Sequence, residues 1–180
     1  CLTKFAFDKG IHANTYHFTA SDGDHEAVID DNGWVHLKMI DVQDVTFANE
    51  AIILNTGSPH YIKQVSGLSN YDVFFEGKKI RYNETYNKVG INVNFVEWND
   101  NELFVRTYER GVENETFSCG TGVTAAAIAM STDTIGAQET KIRTLGGSLL
   151  IKFNKVDAQH YNNVWLCGPA SFVYDGQITI

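Results

Sequence analysis

Residues 106–127 read R-T-Y-E-R-G-V-E-N-E-T-F-S-C-G-T-G-V-T-A-A-A. Residues 103–108 have strand character and end in a charged pair, Glu109 and Arg110. A polar turn leads to Ser118-Cys119-Gly120-Thr121-Gly122 and then to an Ala-rich apolar run. Ala has the highest helix propensity, and Val123, Ala126, Ala127 and Met130 recur near helical spacing, so a helix is predicted to open at Cys119 and end near Gly136. Unpaired N–H groups and the positive end of the helix dipole favour negative charge there. Two expectations follow. The Cys119 thiol should ionise below the reference pKa of about 8.5. The amides of Gly120 and Thr121 should receive an anion such as a carboxylate, which glycine lets approach closely. The competing reading is a buried cysteine in a glycine-rich turn.

Bulk properties narrow the classes. The 180 residues allow one domain or two small ones, and 43% hydrophobic content with 12% aromatics supplies a core. A net charge of −8, with Lys78-Lys79 the longest basic run, argues against nucleic acid or an anionic membrane as partner. No apolar run approaches the ~20 residues of a membrane span. Cysteines at 1, 119 and 167 form neither a metal spacing nor a disulfide framework, which fits reduced thiols in a cytoplasmic protein.

Outward from the central stretch, residues 91–98 and 103–108 are predicted to pair as a hairpin about Asn99-Asp100-Asn101. A second helix is expected over 71–80, a short buried strand over 51–55, and a connector over 41–50. The chain opens with a helix from Cys1 to about Gly10, then strands at 17–20, 26–29 and 34–39, with turns at Ser21-Asp22-Gly23-Asp24 and Asp30-Asp31-Asn32-Gly33. After the Cys119 helix come strands at 141–144, 149–153 and 163–167, with a Gly146-Gly147 turn. Helix, strand, turn, strand, turn, strand thus occurs twice. A duplicated half is inferred. The first helix starts without an N-cap, so a processed or cut start is expected, with a counterpart of the Cys119 turn just before residue 1.

Inverting a carbon that bears an acidic proton needs a base on one face and an acid on the other. Two thiols opposed across a pseudo-symmetric cleft meet that need, and helix N-termini can hold the carboxylate and steady the developing carbanion. No PLP lysine motif, dinucleotide fingerprint or P-loop is visible, so no cofactor is expected. His60, after Pro59 in a tight turn, either tunes a thiol or faces solvent. Glu109 and Arg110 either contact substrate or form a surface ion pair. Asn92 either bonds substrate or points to solvent. Cys167 reads as buried and inert.

The motifs Gly57-Ser58-Pro59-His60, Gly90-Ile91-Asn92-Val93-Asn94-Phe95, Tyr108-Glu109-Arg110-Gly111, Glu115-Thr116-Phe117-Ser118-Cys119-Gly120-Thr121-Gly122, Gly168-Pro169-Ala170 and Tyr174-Asp175-Gly176 resemble the diaminopimelate epimerase family. They stand in the family's order along nearly the whole chain. Cys1 matches the last, non-catalytic cysteine of the family's first active-site motif, so the first catalytic cysteine would lie upstream.

The resemblance implies an α+β fold of two pseudo-symmetric halves, each a curled, mostly antiparallel sheet around a central helix, with the first half incomplete. On that map 1–44 is the tail of the N-terminal half, 45–165 the C-terminal half, and 166–180 a return strand. It also implies an isomerase of lysine biosynthesis, independent of PLP, that converts LL- to meso-diaminopimelate by two-thiol chemistry. Cys119 would be one thiol, with Glu109 and His60 setting its chemistry. Gly120 and Thr121 would hold the α-carboxylate, and Asn92, Glu109, Arg110 and Ser58 would contact substrate. Ser58 stands where many members carry Asn, and Glu113 lengthens the loop before Cys119. Tyr174 would contact a second copy in a homodimer. With one thiol, this chain alone is expected to be inactive. The alternatives are a related proline-type racemase and a non-catalytic half that binds an amino acid.

Overall fold

A helix that carries Ala at 125, 126 and 127 and Gly at 120 and 122 has a narrow, apolar surface on every side, and such a helix must be buried. In the computed structural model, which describes residues 1–20, 23–48 and 50–179, it is α3 (Gly120–Ala129), and a curled sheet passes around it. The other helices are α1 (Leu2–Asp8) and α2 (Val73–Arg81), with one 3-10 turn at Leu68–Asn70.

The strands are β1 (Tyr16–Ala20), β2 (Gly23–Ile29), β3 (Val35–Lys38), β4 (Val45–Ala48), β5 (Ala51–Asn55), β6 (Pro59–Gln64), β7 (Asn92–Asn99), β8 (Glu102–Glu109), β9 (Asn114–Thr116), β10 (Gly136–Thr144), β11 (Gly147–Lys155) and β12 (Tyr161–Gly168). They form one sheet in the order β1-β2-β3-β12-β11-β10-β8-β7-β6-β5-β4, with β9 beside β8. The β6/β7 and β8/β10 pairs run parallel, and the others antiparallel. Parallel neighbours need a crossover, and here each crossover contains a helix, α2 and α3 respectively. Strands β5 to β8 and β10 to β12 all touch α3.

The repeated order of elements has a structural counterpart. Helix α1 is followed by the antiparallel meander β1–β3, and α3 by the meander β10–β12; the two meanders meet edge to edge at β3/β12, where Leu37 faces Leu166. The α+β class, with a large curled sheet and few helices, is as expected.

Strand β7 is buried on both faces. Val96 packs with Val123, Ala126 and Ile128 of α3, while Val93 and Phe95 pack with Val73 of α2, Leu68 and Tyr108. Period-two alternation therefore places Asn92 and Asn94 on the α3 side, next to its N-terminus.

Several sequence expectations need correction. The helix opening at Cys119 ends at Ala129, not near Gly136. The buried Lys155 ammonium donates to the Thr132 carbonyl at 2.8 Å just beyond the helix end, where a cation is favoured, and residues from Gly136 join β10 instead. The connector over 41–50 contains β4, an edge strand that pairs Val45 with Leu54 and leaves Phe47 exposed. Residues after the Pro59 turn form β6, which Pro can open because a first strand position needs no donor. The return strand over 166–180 stops at Gly168, since Pro169 offers no N–H and residues 169–179 have no ladder partner among the described residues. Ser21 and Asp22 of the first turn lie outside the described residues, as do Asn49 and Ile180.

Candidate active site

Cys119 is the N-cap of α3, in extended conformation, and its side chain makes no capping bond to the helix. The sulfur instead lies 3.5 Å from Thr121 Oγ1, and the backbone amides of Gly122 and Thr121 face it. An ideal Cβ on Gly122 would sit 3.3 Å from the sulfur and 2.4 Å from Asn94 Oδ1, so only glycine allows this approach. The residue is 8% exposed.

The expectation of a depressed thiol pKa does not hold. Burial pushes the Cys119 thiol up, and the Glu109 carboxylate adds to this, while the Thr121 hydroxyl and the two amides pull it down. Desolvation wins because a thiolate leaves water on nearly all sides, whereas each donor returns only part of that hydration. The helix N-terminus limits the rise without reversing it.

Thr121 is the hub of the site. Its hydroxyl oxygen lies 3.0 Å from His60 Nε2 and 3.2 Å from Ser58 Oγ, and its carbonyl accepts from the Thr56 hydroxyl at 2.8 Å. Ser58 Oγ also lies 3.0 Å from His60 Nε2 and accepts from Asn92 Nδ2 at 3.0 Å. Parallel pairing of β6 with β7, which sets His60 opposite Asn92, makes these contacts possible. His60 is fully buried, so the solvent-facing alternative fails. Burial, aided by the Arg110 charge, lowers its pKa to about 3 and keeps the ring neutral.

Asn92 does not point to solvent. Its Nδ2 also donates to the Pro59 carbonyl at 3.2 Å, and its Oδ1 accepts from the Arg110 amide at 2.9 Å. The Arg110 guanidinium donates to the Val89 carbonyl at 3.2 Å, lying where any side chain on Gly90 would meet its Cδ at 2.5 Å. Glu109 accepts from the Thr116 hydroxyl at 2.9 Å, and among the described residues it forms no ion pair with Arg110. Glu113, at positive φ, closes the loop by donating its amide to the Glu109 carbonyl at 2.8 Å. Tyr174 is 82% exposed and lies by α1, away from these residues, and the third thiol, Cys167, is fully buried with its pKa pushed up to about 11.

Beside the Thr121 hub opens a cleft of about 480 Å³. Thr56, Gly57 and Thr121 form one wall, and β1 to β3 with the following loop, including Glu26, Lys38 and Asp41, form the other. Sequence reasoning missed Asn94, Thr107 and Thr56 as members of this network. The signal for Asn94 was present, since it sits two residues from Asn92 on the same face of one strand.

A buried thiol at a helix N-terminus, with a cleft between that helix's first turn and the β1–β3 meander, defines the class of fold to which the chain is similar. A hydroxyproline epimerase from Agrobacterium vitis, solved with bound trans-4-hydroxy-L-proline, superposes with a TM-score of 0.64 at 14% identity, covering 94% of this chain and 61% of that one. A phenazine biosynthesis protein of the PhzF family from Enterococcus faecalis gives a TM-score of 0.61 at 14% identity, covering 99% and 71%.

Sequence comparison narrows the class to a family. The model of the diaminopimelate epimerase family matches residues 52–173. The diaminopimelate epimerase of Flavobacterium psychrophilum is 43% identical over 99% of this chain and 70% of its own length, and that of Chlorobaculum tepidum is 36% identical over 100% and 72%. The chain belongs to the diaminopimelate epimerase family, a family of isomerases.

Proposed function

We propose that the chain contributes to a cofactor-independent inversion at an α-carbon of diaminopimelate, LL to meso, with Cys119 as one acid/base thiol. The observation that carries this reading is the position of the sulfur at the N-cap of α3, 3.5 Å from Thr121 Oγ1 and facing the amides that open the helix. A thiol raised by burial is a strong base once ionised, and the hydroxyl and amides make the ionised form accessible. The remaining orphan amides of α3, with Gly120 foremost, suit the α-carboxylate and the charge that develops beside it. Residues 45–165 then form the half that presents Cys119, and residues 1–44 with 166–180 belong to the other half.

The opposing thiol is not Cys167, which is fully buried, and Cys1 lines a different hollow, beside residues 170–175. Cys119 is therefore the one thiol at this site among the described residues. Residues 1–180 alone are expected not to invert substrate. At the second amino-acid end of the substrate, Arg110 and Glu109 supply charge, and Asn92 and Ser58 engage by exchanging the bond they make to each other. A homodimer through Tyr174 and a cytoplasmic location belong to the same reading; among the described residues, no helix is long and apolar enough to cross a membrane.

A second reading, a proline-type racemase, draws on the fold shared with the hydroxyproline epimerase. Incubating the full natural protein in D2O with LL-diaminopimelate, meso-diaminopimelate, L-proline and trans-4-hydroxy-L-proline separates the two. Deuterium entering only the diaminopimelates supports the first reading. Deuterium entering only the prolines replaces it with the second, and none entering any of the four supports a non-catalytic binding half.

A further inference from the structure

Asn94 is fully buried on β7, and every polar atom of its amide is committed. Its Oδ1 accepts from the Thr107 hydroxyl at 2.9 Å. Its Nδ2 donates to the Tyr61 carbonyl at 3.3 Å and lies 3.0 Å from His60 Nδ1. A carbonyl only accepts, so the Tyr61 oxygen requires the NH2 group on its side and fixes which way the amide points. The second hydrogen of that NH2 group then meets His60 Nδ1, which must be the unprotonated nitrogen. His60 Nε2 carries the proton and donates to Ser58 Oγ and Thr121 Oγ1, each 3.0 Å away.

The same logic holds on the neighbouring residue. Asn92 is oriented by the Arg110 amide at its Oδ1 and by the Pro59 carbonyl at its Nδ2, so it donates to Ser58 Oγ. With Ser58 Oγ and Thr121 Oγ1 both accepting, the Ser58 hydroxyl donates to Thr121, and the Thr121 hydroxyl is left to donate to the Cys119 sulfur. Along the path from Asn94 through His60 and Thr121, each donor points toward the thiol.

We propose that Asn94 is a positioning residue that locks His60 as the Nε2–H tautomer, and thereby aims the Thr121 hydroxyl proton at Cys119. A Cβ on Gly122 would meet the oxygen of Asn94 at 2.4 Å, so the amide that sets the tautomer also packs against the first turn of α3. Charged groups near the network are Glu109, whose carboxylate opposes ionisation of Cys119, and Arg110, whose charge opposes protonation of His60. The consequence for catalysis rests on Cys119 being a proton-transfer thiol, but the tautomer does not.

The test needs no substrate. Long-range 1H–15N spectra of His60 in the full natural protein should show an unprotonated Nδ1 and a protonated Nε2. A protonated Nδ1, alone or with Nε2, overturns the proposal whatever the protein catalyses. In Asn94→Asp the new carboxylate accepts from Nδ1–H, so the proton should move to Nδ1. Iodoacetamide labelling of Cys119, followed by peptide-resolved mass spectrometry, should then slow by about tenfold as the thiolate loses an aimed donor. Unchanged tautomer and unchanged labelling in that variant also overturn the proposal. Should Asn94→Asp fail to fold, the wild-type spectrum still decides, and Thr107→Val, which frees one end of the amide, should allow a mixture of tautomers.

Discussion

The Cys119 sulfur and the Thr121 hydroxyl oxygen lie 3.5 Å apart across the first turn of α3, and through that hydroxyl the sulfur communicates with His60. Thr121→Val keeps the shape and removes the donor. Hydrogen bonds to charged groups are worth about 1.5–3 kcal/mol, so the Cys119 thiolate should become at least about tenfold scarcer near neutral pH. The pH profile of Cys119 alkylation should move upward, while the far-UV spectrum stays the same.

His60 makes stability depend on pH. Its pKa falls from 6.5 to about 3 in the fold, first through burial. Between those values the unfolded chain binds a proton that the native protein does not, so stability is full above 6.5 and declines as pH falls toward 3, by about 1.4 kcal/mol per pH unit. Lowered carboxylates such as Asp30, held by His36, and Glu50, held by Lys63, add loss of the same sign only near and below 3.8 and 4.5. Denaturant titrations between those ranges, at pH 5 to 6.5, isolate the histidine. His60→Asn should flatten the slope in that window even if it lowers stability at every pH.

Gly77 lies in α2, where alanine ordinarily gains about 1 kcal/mol over glycine. An added Cβ would sit 2.4 Å from Tyr108 Cβ and 2.7 Å from its Cγ, and Tyr108 is buried. Neither partner is the free end of a flexible chain, so overpacking at about 1–3 kcal/mol outweighs the propensity gain. Gly77→Ala should lower the urea midpoint and leave the Cys119 alkylation rate unchanged.

Arg106 holds the approach to the Cys119 turn. It grips Glu115 of β9 through two bonds of 2.6 and 2.7 Å and donates to the carbonyls of Leu68 and Tyr71 at 2.7 and 2.9 Å. Lysine keeps the charge but not the planar fork. Arg106→Lys should therefore cost about 1–3 kcal/mol of stability, seen as a lower denaturation midpoint.

The sequence showed the site's strongest feature because the chemistry there is local: Ser118-Cys119-Gly120-Thr121-Gly122 before an alanine run marks a helix start through propensity alone. The hairpin of β7 and β8 was legible from its apolar runs and polar turn, and Asp100 at φ 53 completes it. Strands β4 and β6 were not, since Asp41, Gln43 and Asp44 mask one and Pro59 with Lys63 and Gln64 the other; tertiary pairing forms both. The direction of the Cys119 shift was misjudged because desolvation depends on strands distant in sequence. The spacing of Asn94 from Asn92 marks its face of the strand, but the atoms it meets on β6 follow from strand pairing, which no local pattern encodes.

The proposed role of the Cys119 sulfur, moving the α-proton of the substrate, is tested by following deuterium incorporation into LL-diaminopimelate in D2O by the full natural protein and by its Cys119→Ala variant. Exchange should drop to the uncatalysed rate in the variant, with its circular dichroism unchanged. A folded Cys119→Ala protein that exchanges the α-proton as fast as wild type would rule out Cys119 as the acid/base thiol.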